Sequence, residues 1–149
     1  MQTRSLAALA MLVLAIGIVV AGEGSDLKKM EGTWQGTVLE LGGKPPTDGE
    51  KKITIKLVVK GDRYTIFFSE QKISEGAFKL DEKNKPKRID ATASEGDFKG
   101  KVQPGIYQLD GDELKVVFTE PDKERPTEFK TRAKTDEVLI RYQRKKAGK

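Results

Sequence analysis

From residue 53 to residue 142, apolar side chains recur at every second position in short runs. Ile53, Ile55, Leu57 and Val59 alternate with Thr54, Lys56, Val58 and Lys60. Tyr64, Ile66 and Phe68 follow, then Phe78 and Leu80, Tyr107 and Leu109, Leu114, Val116 and Phe118, and last Val138, Ile140 and Tyr142. Successive side chains of a strand point to opposite faces, so each run has one apolar face and one wet face. A helix would need apolar positions three and four apart. No segment sustains that period after Ser25-Asp26-Leu27-Lys28-Lys29-Met30, which reads as one short helical turn with Ser25 as its N-cap. The chain is therefore expected to be all-β. Lys60-Gly61-Asp62-Arg63 separates two alternating runs as a tight hairpin. Asp110-Gly111 does the same and favours a type I′ turn, whose twist matches the flanking strands. Gly42-Gly43-Lys44-Pro45-Pro46 and Glu120-Pro121-Asp122-Lys123 are longer loops, because Pro cannot donate to a ladder. About eight strands at short, even spacing bury their apolar faces either as a sandwich or by closing into a barrel. Periodicity leaves both open.

A chain of 149 residues suits one domain. Hydrophobic residues make up 36% of it and charged residues 34%, which is polar for a globular protein, but the apolar residues are clustered as a core requires. The sequence has neither Cys nor His. Thiol nucleophiles, disulfides and an N-terminal lipidated Cys are thereby excluded. Ser-His-Asp and Cys-His triads and the usual zinc sites lose their central side chain. Asp110, Asp112 and Glu113 could in principle hold Ca²⁺, but the alternating oxygen ligands and terminal bidentate Glu of a calcium loop are missing, and a charged hairpin explains them. No metal and no cofactor are expected. The net charge of +5 is spread through interleaved Lys, Arg, Asp and Glu, apart from the tail Arg144-Lys145-Lys146, so no nucleic-acid partner is expected.

Residues 1–21 have the form of a signal peptide. Met1-Gln2-Thr3-Arg4 is a positive start, Ser5 to Val20 an apolar centre, and Val19-Val20-Ala21 a small-residue cleavage site followed by Gly22-Glu23-Gly24-Ser25-Asp26. The apolar run is somewhat shorter than the roughly 20 residues of a spanning helix. Cleavage after Ala21, with Gly22 as a competing site, leaves an exported domain over residues 22–149, periplasmic or extracellular, with no membrane span.

Gly32-Thr33-Trp34, directly after the helical turn, resembles the Gly-x-Trp opening of the lipocalin superfamily. That resemblance implies that Trp34 lies across the closed end of an up-and-down barrel and stacks under an Arg of the last strand. Arg144 keeps even spacing with Val138, Ile140 and Tyr142 and is the matching candidate; Arg141 points the other way. The mature chain as a whole is similar to a family of uncharacterised secreted planctomycete proteins with a lipocalin-like domain. The matching blocks are Gly32 to Trp34, Gly76-Ala77-Phe78-Lys79-Leu80-Asp81, Pro86-Lys87-Arg88-Ile89-Asp90, Gly105 to Leu114, and Arg125-Pro126-Thr127-Glu128-Phe129. The resemblance implies an eight-stranded antiparallel barrel and export, but no activity. An eight-stranded barrel is either filled by its own side chains or holds one small ligand.

If a cavity exists, the residues expected to line it are Val38, Ile55, Leu57, Ile66, Phe68, Phe78, Tyr107 and Val116. Gly32, Trp34 and Arg144 would close one end. Tyr64, Tyr107 and Tyr142 offer the few hydroxyls, and no inward mid-barrel position carries a carboxylate or Lys. The guest would then be a small apolar or amphipathic molecule of fatty-acid or isoprenoid type. Arg125 is expected to pair with a carboxylate, Pro126 to stiffen the chain and Phe129 to join the core. Nothing in the spacing brings Glu40, Glu75 and Glu128 together as an acid/base pair, so no enzyme is expected. The alternative is a solid barrel that serves as an interaction module through its loops and basic tail, with an unknown protein partner.

Overall fold

A computed structural model describes residues 25–46 and 53–146. The leader and its cleavage site lie outside the described residues. A short helix, α1 (Ser25–Met30), leads into eight strands: β1 (Gly32–Leu41), β2 (Thr54–Lys60), β3 (Arg63–Phe68), β4 (Gln71–Asp81), β5 (Lys87–Ala93), β6 (Val102–Asp110), β7 (Glu113–Phe118) and β8 (Val138–Arg144). Each strand pairs antiparallel with its sequence neighbour, and β8 returns to pair with β1, from Trp34 opposite Arg144 to Leu41 opposite Val138. The sheet is a closed up-and-down barrel and has no free edge, which removes the usual template for edge-to-edge aggregation.

Turn chemistry explains the meander. The β2–β3 and β6–β7 connections are two-residue loops, Gly61-Asp62 and Gly111-Asp112, between the last pairs Lys60–Arg63 and Asp110–Glu113. Only the first residue of each has positive φ, 59° at Gly61 and 61° at Gly111. That is the type II′ pattern, with Gly in the first central position. It corrects the type I′ expectation for Asp110-Gly111: Asp110 remains in the ladder, and the turn begins one residue later. The β3–β4 turn places two non-glycine residues, Ser69 and Glu70, in the left-handed region instead.

The inner face carries the core, including Trp34, Leu57, Val59, Tyr64, Phe78, Ile89, Leu114, Val116, Ile140 and Tyr142. α1 packs on the same core through Leu27 and Met30 and caps the end at which β1 begins. A second apolar cluster lies on the outside of the barrel. Ile106, Val117 and Leu139 alternate with inward neighbours on β6, β7 and β8, and Leu39 and Phe129 pack against them. Phe129 belongs to the long β7–β8 connection, residues 119–137, which lies against this wall. It is held there by two strand carboxylates, Asp90 and Glu40, and braced within itself by a third, Glu137. Arg125 meets Asp90 at 2.8 Å and donates to the carbonyls of Gly105 and Ile89. Glu40 accepts from the Thr131 amide and hydroxyl at 2.9 and 3.0 Å. Glu137, wholly buried, accepts from the Arg132 amide at 2.7 Å and from its guanidinium. Phe129 thus joins an outer cluster, not the barrel interior.

Candidate binding cavity

The end of the barrel under α1 is sealed by one polar construction. The Trp34 side chain is wholly buried, and its indole N–H donates to the Met30 carbonyl at 2.8 Å. The Arg144 guanidinium lies 4.2 Å from the Trp34 ring centroid, inside cation–π range. The same guanidinium donates to the Glu31 carbonyl at 2.7 Å, to the Lys29 carbonyl, and to the Asp112 carboxylate at 2.9 Å. It therefore satisfies carbonyls at the end of α1 that have no partner inside the helix. Gly32, with φ 128°, would place a Cβ 3.1 Å from this guanidinium. Gly32, Trp34 and Arg144 meet at one place; Arg141 is exposed on the outer face.

Asp26 forms a second tie at this end. Its carboxylate accepts from the Tyr107 hydroxyl at 2.7 Å and from Lys87 at 2.8 Å. Burial pushes the Asp26 carboxyl up, but these two hydrogen bonds, with the charges of Lys87 and Lys29, outweigh it and leave it below its usual range. The Tyr107 phenol moves far upward, through burial first and the Asp26 hydrogen bond second.

Above this floor lies a cavity of about 190 Å³. Its wall is mostly hydrocarbon: Leu57, Val59, Phe78, Ile89, Leu114 and Ile140 surround it, with Met30 below. Ala91, on β5, is a small residue where its neighbours are large, and it thins the wall. Four polar side chains reach the wall: Tyr64, Tyr142, Ser74 and Gln103. The wall residues farthest from α1, namely Ile66, Ser74, Gln103, Phe118 and Val138, are half-exposed, so the cavity opens at that end. The exposed large apolar residues among those described, Leu41, Phe68, Ile73 and Val102, also lie toward that end of their strands.

Leu57, Ile66, Phe78 and Val116 are on the cavity wall. The other four residues expected there are not. Tyr107 is drawn into the floor by Asp26. Ile55 and the Tyr142 ring both crowd the space where Gly36 has no side chain, and of the two Tyr142 lines the cavity. Val38 is packed in the core just before the register of β1 against β8 shifts. Phe68 is 44% exposed at the rim, beyond a register shift in the β3–β4 pairing. Sequence reasoning left Val59, Leu114 and Ile140 off the list, although Val59 shares the parity of Leu57, Leu114 that of Val116 and Ile140 that of Tyr142. It left off Ile89 because on β5 Ala91 and Ala93 leave no run of large apolar residues to mark the inward face. It also missed Ser74 and Gln103, because a polar residue on an inward parity looks like an interruption of the pattern. Glu40, Glu75 and Glu128 have separate partners, Thr131, Lys72 and Lys130. Asp112 is taken by Arg144. Among the described residues no group of three or more His, Cys, Asp or Glu is placed to hold a metal ion.

On the outer wall, Arg141, Lys145 and Lys146 line a groove with Gln35, Thr37 and Gln143, and no carboxylate is among its lining residues. Compared with family models, characterised proteins and solved structures, the chain matches none of them.

Proposed function

We propose that this protein is an exported, lipocalin-like binding barrel that holds one compact, mostly apolar molecule in its interior. The observation that carries the reading is the hydrocarbon-walled cavity, sealed at the Trp34–Arg144 end and open at the other. At about 190 Å³ it exceeds the roughly 150 Å³ of an engineered protein cavity that takes up benzene. It falls below the roughly 300–1,000 Å³ typical of sites for drug-sized ligands. The size narrows the guest from a long fatty-acid or isoprenoid chain to a molecule of about six to nine non-hydrogen atoms, scaled from benzene. Export rests on the leader-like residues 1–21. Sequencing of the exported form is expected to begin at Gly22 or Glu23; a start at Met1 overturns that part.

The interior site is tested by titrating small one-ring molecules and following the melting curve. A guest at a hundred times its dissociation constant adds about 2.7 kcal/mol of stability. Ala91→Leu puts three more carbons into the void. It is expected to keep the fold and to weaken every such guest at least tenfold. Undiminished binding to Ala91→Leu would place the guest elsewhere.

A second reading, an interaction module that works through the basic tail, is favoured by the carboxylate-free groove of Arg141, Lys145 and Lys146. It is distinguished by its indifference to Ala91→Leu and its sensitivity to salt.

A further inference from the structure

The cavity wall carries an unbalanced account of hydrogen bonds. Tyr142 is 3% exposed and Tyr64 9%, both line the cavity, and neither hydroxyl makes a hydrogen bond to any described residue. Buried polar atoms nearly always have a partner. Leaving a buried hydroxyl without one costs about 1–3 kcal/mol. Tyr107 shows how this chain treats a tyrosine of purely structural role: it is just as buried, and its hydroxyl is satisfied by Asp26 at 2.7 Å. Ser74 and Gln103 stand half-exposed toward the mouth, where water reaches them, and the Gln103 amide also donates to the Thr119 carbonyl at 3.4 Å. The two unmatched hydroxyls lie deeper.

We infer that Tyr142 and Tyr64 are the polar anchor of the cavity and that its guest is an uncharged compact molecule presenting one carbonyl oxygen to them. This rests on the interior-site reading above. The chemistry follows from the donors and acceptors present. Burial, with a contribution from Tyr64, raises the Tyr142 phenol far above its ordinary range, so it keeps its proton and can donate. A carbonyl oxygen has two lone pairs and accepts from both hydroxyls, whereas two phenols facing each other can satisfy only one donor. A carboxylate guest is disfavoured: no Lys or Arg lines the cavity, and an unpaired buried charge is far more costly than an unpaired hydroxyl. A hydrocarbon guest would fill the volume and leave both hydroxyls unmatched.

The test is a matched pair of guests, cyclohexanone and methylenecyclohexane, which share a shape but differ in having C=O or C=CH₂. Each is titrated by calorimetry into the wild-type barrel and into Tyr142→Phe and Tyr64→Phe. The expected result is that wild type binds cyclohexanone about tenfold more tightly. In Tyr142→Phe that preference should fall to about twofold or less, while methylenecyclohexane still binds. Retention of the hydrocarbon shows that the variant is folded with its cavity intact, so lost preference cannot be ascribed to collapse. Equal affinity of wild type for both guests overturns the anchor and leaves the interior site standing. A preference that survives in both Phe variants also overturns it. Binding of neither guest, with ordered water on the two hydroxyls in a crystal structure, overturns the interior-site reading together with the anchor.

Discussion

Trp34→Ala is expected to destabilise the barrel by about 3–5 kcal/mol, the range for deleting a large aromatic from a core. The position is wholly buried, so truncation leaves a void that the surrounding side chains can fill only in part. The loss goes beyond packing, because the Met30 carbonyl loses the indole N–H and the Arg144 guanidinium loses the ring beneath it. Arg144→Ala is expected to cost less, since Arg144 is itself partly exposed. The informative quantity is their coupling. Residues in contact typically interact by about 0.5–3 kcal/mol in a double-mutant cycle, and guanidinium unfolding of the four proteins measures it. Strict additivity would mean that the stacking contributes nothing and that Arg144 acts only through Glu31, Lys29 and Asp112. Arg144→Lys is expected to recover little, because a Lys has no planar fork to bridge two carbonyls and a carboxylate at once.

Gly36→Ala is expected to lower stability by about 1–3 kcal/mol through overpacking. The sign makes the test sharp. In an ordinary strand interior the same change would gain about 0.5–1 kcal/mol, because Gly loses more backbone freedom than Ala on folding. Here the new Cβ would lie 2.5–2.6 Å from the Tyr142 ring and 3.1 Å from Ile55. The ring must move, and the space open to it is the cavity, so affinity for an interior guest should fall along with stability. In a Tyr142→Ala background the penalty should vanish, since the ring is gone. Denaturant unfolding reads the first part and titration of a small apolar probe the second. A neutral or stabilising Gly36→Ala in the native background would mean that the ring is not seated on Gly36.

The Gly36–Tyr142 contact also marks where sequence reading stops. Alternation of apolar and polar residues, with Gly and Pro between the runs, determined that the chain is all-β and divided into about eight strands. That information is local: a strand's period and a turn's φ requirement are properties of a few consecutive residues. Closure was not local. The sandwich and the barrel were separated at the sequence level only by a resemblance, and the β1–β8 pairing supplied the answer. Parity likewise put Arg144 on the inward side of β8, but not its hold on Lys29 and Glu31. The pairing of Arg125 with a carboxylate was legible, but the outer layer was not: Phe129 reads as a core residue and packs on the outer cluster instead. The burial of Glu137 beneath Arg132 was not legible either, because a Glu at a strand start reads as solvated unless its loop folds back over it.

The cavity was the least legible feature. Whether eight strands enclose a void depends on where each side chain's volume goes across the barrel, and that is a sum over residues far apart in sequence. Tyr107 shares the inward parity of Leu57 and Phe78, yet Asp26, 81 positions earlier, draws its hydroxyl into the floor. Tyr142 turns toward Gly36 on another strand, and Ala91 leaves room that a Leu would have filled. Sequence by itself determined the division into about eight strands, the inward faces of most of them and the lack of a carboxylate or Lys on those faces at mid-barrel. Only tertiary structure decided that the barrel is sealed at one end, open at the other and hollow between, because sealing and hollowness are properties of packing between strands and not of any one of them.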